Sequence, residues 1–257
     1  MERKLLSCVV LMLVILVGYA QSSGETSGSV GNDGKPCPGA ATVTDIDGNT
    51  YNTVQIGKQC WMKENLRTNR YANGTLIPVG STTSTTTAYR YAPDGNNSYV
   101  FKYGYLYNWP AVMHGANSSS RNPSGVQGVC PTGWHVPSDA EWTELTDYVS
   151  NRNEYMCGNN EENIAKSLSS AEGWDSSDKD CAVGNNPSPN NATGFSALSA
   201  GGYYGNYGGF GQAASYGSAT EYSNSYAYGR GIYYKRAHMR LFYDHKCYGY
   251  SVRCVRD

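Results

Sequence analysis

The chain has 257 residues, with 20 basic and 21 acidic side chains and a formal net charge of −1. This balance excludes the basic surface that a nucleic-acid-binding protein needs, so no nucleic-acid partner is predicted. The sequence also holds 30 glycines and 23 tyrosines, and the tyrosines are concentrated between Tyr203 and Tyr250.

The first twenty residues have the pattern of a secretory signal peptide. Residues 1–4 carry two positive charges and residues 5–17 are apolar. This apolar run is shorter than the about 20 residues of a membrane-spanning helix. We therefore expect cleavage between Ala20 and Gln21, no membrane span, and a secreted or outer-surface protein. Cys8 lies inside the apolar run and not at the cleavage point, so no lipid anchor is predicted.

The remaining chain divides into a linker and a body. Residues 21–36 are rich in Ser and Gly, which predicts a flexible linker. Residues 37–257 are enough for one well-cored domain. Without Cys8 seven cysteines remain, and export favours disulfides, so one thiol is free or bonded to another chain. Cys157 and Cys181 flank an Asn-rich insertion and are the easiest pair to propose.

The first predicted element of the body is a β-hairpin over residues 41–56 with its turn at Asp47-Gly48-Asn49. Asp45 and Asp47 also resemble the start of a calcium loop, but its later bidentate Glu is missing, so we interpret the run as a turn. Three segments follow: a strand leading into a turn at residues 60–66, a Thr-rich loop at 81–87, and an aromatic strand at 103–109, with Ala111–Met113 as one helical turn.

The clearest helix begins after Ser138. Ser138 and Glu141 have the spacing of a capping box, and Pro137 prevents an earlier start. The apolar side chains that follow at helical spacing are Trp142, Leu145, Tyr148 and Val149. A second, shorter helix is predicted over residues 161–170, ending before Gly173.

The Gly- and Tyr-rich stretch from Gly201 onward predicts short antiparallel strands joined by tight turns. A low-complexity run is the alternative, but Ile232, Met239, Leu241 and Val252 give these strands a core to join. The last strand is predicted over residues 250–256. Two early helices and many late strands indicate an α+β fold.

Four segments carry a family resemblance: VQIGKQCWMKENL at 54–66, GYLYNWPAV at 104–112, CPTGWHVPSDAEW at 130–142 and SVRCVRD at 251–257. Together they resemble the Fibrobacter succinogenes major paralogous domain, a family of exported bacterial proteins. The resemblance extends over about residues 37–257.

Residues 136–142 and 252–256 are also similar to the helix start and final strand of formylglycine-generating enzymes. This similarity implies a C-type-lectin-like fold, with two short helices packed on antiparallel sheets, long loops, and paired terminal strands. It further implies the disulfides Cys130–Cys254 and Cys37–Cys60, which leave Cys247 unpaired. Relatives often read Trp-Ser-Ser-Thr ahead of the last strands. This chain has Tyr216-Gly217-Ser218-Ala219-Thr220-Glu221 in that place, so an aromatic ring is kept but the indole is not.

Catalysis has little support in the residues. A formylglycine-type oxidase needs a reactive cysteine pair, and Cys247 and Cys254 could meet only across a turn. The four histidines are scattered, without the spacing of zinc ligands: His114, His135, His238 and His245. We interpret His135 as a hydrogen-bonded core residue. No enzyme activity, cofactor or metal is predicted.

The sequence favours neither an acidic-loop calcium site nor a lectin-type calcium site. Asp175, Asp178 and Asp180 could supply oxygen ligands, but a solvated acidic loop is the better interpretation. The calcium and sugar motifs of C-type lectins, Glu-Pro-Asn or Gln-Pro-Asp with Trp-Asn-Asp, are missing from the sequence.

The predicted binding residues are Tyr203, Tyr204, Tyr207 and Tyr216. Tyrosine offers a large rigid face and a polar tip, which suits a recognition surface. Ordinary edge-strand packing is the alternative for these rings. We therefore expect a non-enzymatic recognition module that binds a glycan or another surface protein. The alternatives are a structural surface protein linked through Cys247, or a formylglycine-generating-enzyme-like oxidase.

Overall fold

The computed structural model describes residues 33–257. The predicted signal peptide and most of the predicted linker lie outside these residues. The flexible linker does not extend to residue 33, because the chain is already bonded to the body there. The Gly34 N–H donates to the Gln55 carbonyl (3.0 Å), and the Tyr148 hydroxyl donates to the Asp33 carboxylate (2.6 Å). Within residues 33–257, no helix has the length and apolar character of a membrane span.

The first sheet has five strands in the order β1-β2-β3-β12-β6. Its strands are β1 (Thr42–Thr44), β2 (Thr50–Ile56), β3 (Gln59–Met62), β6 (Trp134–His135) and β12 (Val255–Arg256). The predicted hairpin is confirmed as β1 and β2, paired antiparallel. The Asp45 side chain closes the turn: its carboxylate accepts hydrogen bonds from the backbone N–H groups of Asp47 and Asn49 (2.9 Å each).

The second sheet also has five strands, in the order β11-β10-β9-β7-β8. They are β7 (Ala200–Tyr203), β8 (Tyr207–Phe210), β9 (Ala213–Glu221), β10 (Tyr226–Tyr233) and β11 (Arg240–His245). All neighbours are antiparallel except β7 and β9. A small third sheet pairs β4 (Arg90–Tyr91) with β5 (Leu106–Tyr107). The short strands predicted after Gly201 are thus present.

The capped helix is confirmed as α3 (Asp139–Ser150), and both halves of its capping box form. Two short helices precede it, α1 (Val100–Tyr103) and α2 (Trp109–Met113). The aromatic strand predicted over residues 103–109 is therefore confined to β5, while the helical turn at Ala111–Met113 is confirmed within α2.

The helix predicted over residues 161–170 is wrong in length, since only one turn, α4 (Ala165–Leu168), is helical. The Asn160 side chain accepts a backbone N–H two residues later (3.0 Å) and holds the preceding chain in a turn. The Ala165 N–H donates to the carbonyl of Ala237 (2.8 Å). A local side-chain turn and a tertiary hydrogen bond thus replace the first helical bonds.

The strand predicted over residues 250–256 is also too long. Ser251 makes a bridge to Tyr216 of the second sheet, whereas Val255 pairs with Trp61 and His135 of the first sheet. The chain therefore crosses from one sheet to the other in this segment and cannot stay paired along its length. The weaker resemblance implied that the terminal strands pair; β1 and β12 share the first sheet, but β12 pairs with β3 and β6 and not with β1.

The main core lies where α3 packs against both sheets. Trp142 of α3 lies 4.6 Å from Trp61 and 5.4 Å from Tyr216, measured between ring centroids. Arg253 is fully buried beside them, with its guanidinium 4.5 Å from the centre of the Phe195 ring.

Three disulfides hold the fold together, and they are the pairs that were predicted: Cys37–Cys60, Cys130–Cys254 and Cys157–Cys181. Cys247 is the free cysteine among the described residues. The architecture is mostly antiparallel sheet with short helices and long loops, which agrees with the α+β prediction.

Candidate functional site

An exposed row of aromatic side chains lies on one face of the β10–β11 hairpin. The register pairs Tyr226 with His245 and Tyr228 with Tyr243. Directly opposed residues of two paired strands share a face, so these four side chains project from the same side of the sheet. Tyr222, in the turn between β9 and β10, packs onto this face. We call the five residues the tyrosine strip: Tyr222, Tyr226, Tyr228, Tyr243 and His245.

The rings of the tyrosine strip touch one another in sequence. Tyr222 stacks on Tyr243 with centroids 4.1 Å apart, and its edge meets Tyr228 at 5.4 Å. Tyr226 lies 6.2 Å from Tyr243 and 4.2 Å from His245. Every ring of the strip contacts at least one other ring, so the rings restrict one another's rotamers.

The opposite face of the same hairpin packs against the rest of the domain, so the tyrosine strip faces outward. A Cβ on Gly229 would lie 2.6 Å from the Phe242 ring and 2.6 Å from the Tyr216 carbonyl, so only glycine allows this approach. The Tyr250 hydroxyl donates to the Asp244 carboxylate (2.7 Å) on that inner side. Burial is the largest of the causes that raise the pKa of Tyr250, so its hydroxyl stays protonated.

Helix α3 covers one end of the strip's face. Arg230, next along that face, forms an ion pair with Asp139 and donates to the Thr143 hydroxyl (2.9 Å). Leu241 is paired with Arg230 and is exposed. Beside it lies a groove of about 530 Å³, lined in part by Asp147, Glu161, Glu162, His238 and Arg240. The strip thus ends at an open groove that carries three carboxylates.

Two of the four predicted binding tyrosines are buried, so neither can present its ring to a partner. Tyr216 is fully buried, with its ring between Trp142 and Phe195. Tyr203 is buried and stacks on Tyr91, with centroids 4.0 Å apart. Both residues belong to the core, because β9 and β7 lie inside the second sheet.

The other two predicted tyrosines are exposed, Tyr204 by 40% and Tyr207 by 39%. Tyr204 lies 5.2 Å from Tyr248, which lies 5.5 Å from His245 of the strip. Tyr204 therefore extends the aromatic row at the end away from α3. Burial, together with neighbouring groups, raises the pKa of Tyr204 to about 12.

The cysteine pair considered for an oxidase does not form a dithiol. Cys254 is bonded to Cys130, which leaves Cys247 alone among the described residues. Burial raises the pKa of the Cys247 thiol. A raised pKa lowers the thiolate fraction and hence the reactivity of this thiol.

His135 lies in the first sheet, outside the strip, and bridges two carboxylates. Its ring nitrogens lie 2.6 Å from Glu141 and 2.6 Å from Asp257. It is buried and hydrogen-bonded, which confirms the interpretation of His135 as a core residue. Across residues 33–257, no three His, Cys, Asp or Glu side chains are grouped closely enough to hold a metal ion.

These features define a disulfide-linked, mostly β domain that displays an aromatic surface. The sequence profile of the Fibrobacter succinogenes major domain matches residues 54–256. The match spans most of the chain, and the chain therefore belongs to that family, as its four motifs predicted. The curated proteins and the solved structures give no match. The C-type-lectin-like fold therefore stays a prediction.

Sequence reasoning missed most of the tyrosine strip, although a signal was present. Tyr226 and Tyr228 alternate, as do Leu241, Tyr243 and His245, which is the spacing of residues on one strand face. We instead favoured the tyrosines beside the glycines at 201–209. Only the register between β10 and β11 brings the two alternating sets together.

Proposed function

We propose that this protein is a non-enzymatic recognition module, displayed outside the cytoplasm, that binds glycan chains along the tyrosine strip. The observation that carries the proposal is the exposed Tyr222–Tyr243 pair, whose rings stack on each other and leave half of each side chain open. Aromatic surfaces of this kind mark interaction sites on soluble proteins.

The chemistry of the strip fits a sugar ring. A pyranose has an apolar face of C–H groups and a rim of hydroxyls, and a tyrosine has an apolar ring and a polar tip. A sugar can thus pack on the ring while its hydroxyls bond to the phenol groups or to His245. Because neighbouring rings already fix the tyrosine rotamers, binding costs little side-chain entropy.

The remaining features of the proposal have separate support. The three disulfides favour an oxidising compartment, in agreement with a secreted or cell-surface location. The pairing of β12 with β3 and β6 supports the C-type-lectin-like fold. A structural protein cross-linked through Cys247 has less support, because this thiol is half-buried and its pKa is raised.

The test is binding of the purified protein to a panel of insoluble and soluble polysaccharides. We expect retention on at least one polysaccharide and its loss in the double variant Tyr222→Ala/Tyr243→Ala. Phe101→Ala is the matched control, because Phe101 is 82% exposed and lies on α1, away from the strip. Wild-type binding to no polysaccharide, or equal binding by the double variant, would overturn the proposal.

A further inference from the structure

The edge of the second sheet is an open strand. β11 pairs with β10 on one side, and in residues 33–257 no strand or bridge is formed on its other side. Its apolar and aromatic residues are accessible: Leu241 and Tyr243 are exposed, and Phe242 and His245 are partly exposed. Long exposed edges of this kind invite pairing with another chain unless they are blocked.

The backbone groups available at this edge can be identified. The Lys246 N–H donates to the Ser225 carbonyl (2.9 Å), so this pair is hydrogen-bonded across the hairpin. In antiparallel sheets such pairs alternate, so Asp244, Phe242 and Arg240 also direct their backbone groups toward β10. The N–H and C=O groups of Leu241 and Tyr243 therefore point to the open side.

We propose that β11 pairs antiparallel with β11 of a second copy of this chain, about a twofold axis at Phe242. In this register Leu241 lies opposite Tyr243 of the partner subunit, and the reverse pair is equivalent. Both residues have outward backbone groups, so the two pairs can form a hydrogen-bonded ladder. The interface is isologous, the arrangement found in most symmetric dimers.

Charge complementarity selects this register. Arg240 lies opposite Asp244 of the partner subunit, twice in the dimer. Arg240 is exposed and has no side-chain hydrogen bond or ion pair within residues 33–257, and Asp244 accepts hydrogen bonds there without a cation. A shift by one residue about the axis places Arg240 opposite Lys246 of the partner subunit, whose ammonium is buried and paired with Glu221, so the attraction to Asp244 is lost.

The surroundings of β11 leave room for the partner. The groove of about 530 Å³ is lined in part by Leu241, and Tyr243 of the partner subunit would lie opposite that residue. The two sheets would join into one sheet of ten strands. Because the twofold axis is perpendicular to that sheet, both tyrosine strips would face the same side. A dimer would thus present two adjacent strips and gain avidity for a repeating ligand.

The first experiment measures the mass of the purified protein in solution by sedimentation over a range of concentrations. We expect a monomer–dimer equilibrium, and Arg240→Glu should weaken dimerisation at least about tenfold, because two attractive cross-strand pairs become repulsive. Arg236→Glu makes the same charge change at an exposed site outside β11 and should leave the equilibrium unchanged. A wild-type protein that stays monomeric at every concentration would overturn the proposal.

The second experiment tests the register by cross-linking in a Cys247→Ser background. Opposed residues of an antiparallel pair have Cβ atoms about 4.5–5.5 Å apart, close enough for a disulfide. Phe242→Cys should therefore form an interchain disulfide on oxidation, whereas Tyr243→Cys should not. Cross-linking through Tyr243→Cys in place of Phe242→Cys would reject this register. Neither readout depends on a glycan, so the dimer and the proposed function can fail separately.

Discussion

Tyr222 and Tyr243 stack with ring centroids 4.1 Å apart and ring planes inclined by 13°. Both are about half exposed, at 49% and 53%. The turn that precedes β10 and the edge strand β11 thus meet through two rings at the surface. A pair that packs well but stays open is suited to contact a ligand without rearrangement.

The first prediction concerns the energy of this stack. A double-mutant cycle with Tyr222→Leu and Tyr243→Leu should give a coupling of about 0.5–1 kcal/mol in the free energy of unfolding, the lower part of the range for aromatic pairs, because the pair is exposed. The measurement is urea denaturation of the four proteins. A coupling near zero would mean that the rings are independent in solution.

The second prediction concerns the pH dependence of stability through His135. Burial is the largest single effect and lowers the pKa of His135, but the hydrogen bonds and charges of Glu141 and Asp257 outweigh it and raise the pKa above its usual value. Protonated His135 is therefore favoured in the folded state. Its contribution is fully present below about pH 6.5, the unfolded pKa, and is lost as the pH rises through the folded pKa.

Substitution of His135 tests this sign. The loss of unfolding free energy in His135→Gln should be greatest near pH 6 and should shrink toward pH 9, measured by urea denaturation across this range. His114→Gln is the control: His114 stacks on Tyr71 with centroids 3.6 Å apart and has no carboxylate partner within residues 33–257. A destabilisation by His135→Gln that does not vary with pH would contradict the prediction.

The third prediction concerns Arg253, a buried cation held by neutral acceptors. Its guanidinium donates to the Asn65 side chain (2.8 Å) and to the carbonyls of Ser196 (2.8 Å), Met62 (3.3 Å) and Phe195. A planar fork can reach these separate acceptors together, whereas a lysine ammonium cannot. Each acceptor left without a donor in the core is costly.

Arg253→Lys should therefore lower the free energy of unfolding by about 2–4 kcal/mol, through buried acceptors left unpaired. Arg256→Lys is the matched control three residues away, since Arg256 is exposed and its guanidinium donates only to the Pro38 carbonyl (3.0 Å). The control should change stability by less than about 0.5 kcal/mol. Equal effects of the two substitutions would show that Arg253 does not organise the core.

The fourth prediction ranks two disulfides. Cys130 and Cys254 are separated by 124 residues and are both fully buried, whereas Cys157 and Cys181 are separated by 24. In the chain-entropy account, closing these loops contributes about 5 and about 3 kcal/mol, respectively. Thermal unfolding of the two paired Cys→Ala variants should therefore show the larger loss for the first. The opposite order would show that native-state packing, and not loop closure, determines the loss of stability.

Several elements are predictable from local sequence because their causes are local. Ser138 and Glu141 satisfy the first backbone groups of α3 whatever lies around them. The Asp45 side chain closes the hairpin turn with its own neighbours. The weaker similarity to formylglycine-generating enzymes implied two disulfides that spacing alone left open, and both are present. The helix predicted over 161–170 fails because a tertiary partner, Ala237, takes the bond of Ala165.

The binding surface was only partly predictable. The composition predicted a binding surface among the tyrosines between Tyr203 and Tyr250. Of the residues proposed there, Tyr204 and Tyr207 are exposed. The strip itself depends on β10 and β11 pairing in one register, with Phe242 turned inward over Gly229. No local pattern distinguishes that register from a slip by one residue, which would exchange the two faces.

Local patterns and motifs were enough to predict the hairpin, the capped helix, the α+β composition and the membership of the Fibrobacter succinogenes major domain family. Which tyrosines are exposed to solvent depends on contacts between distant parts of the chain. Tyr216 and Tyr243 both lie in strands, yet one is fully buried and the other is 53% exposed. The physical reason is strand position: β9 lies inside the sheet and beneath α3, whereas β11 forms its open edge.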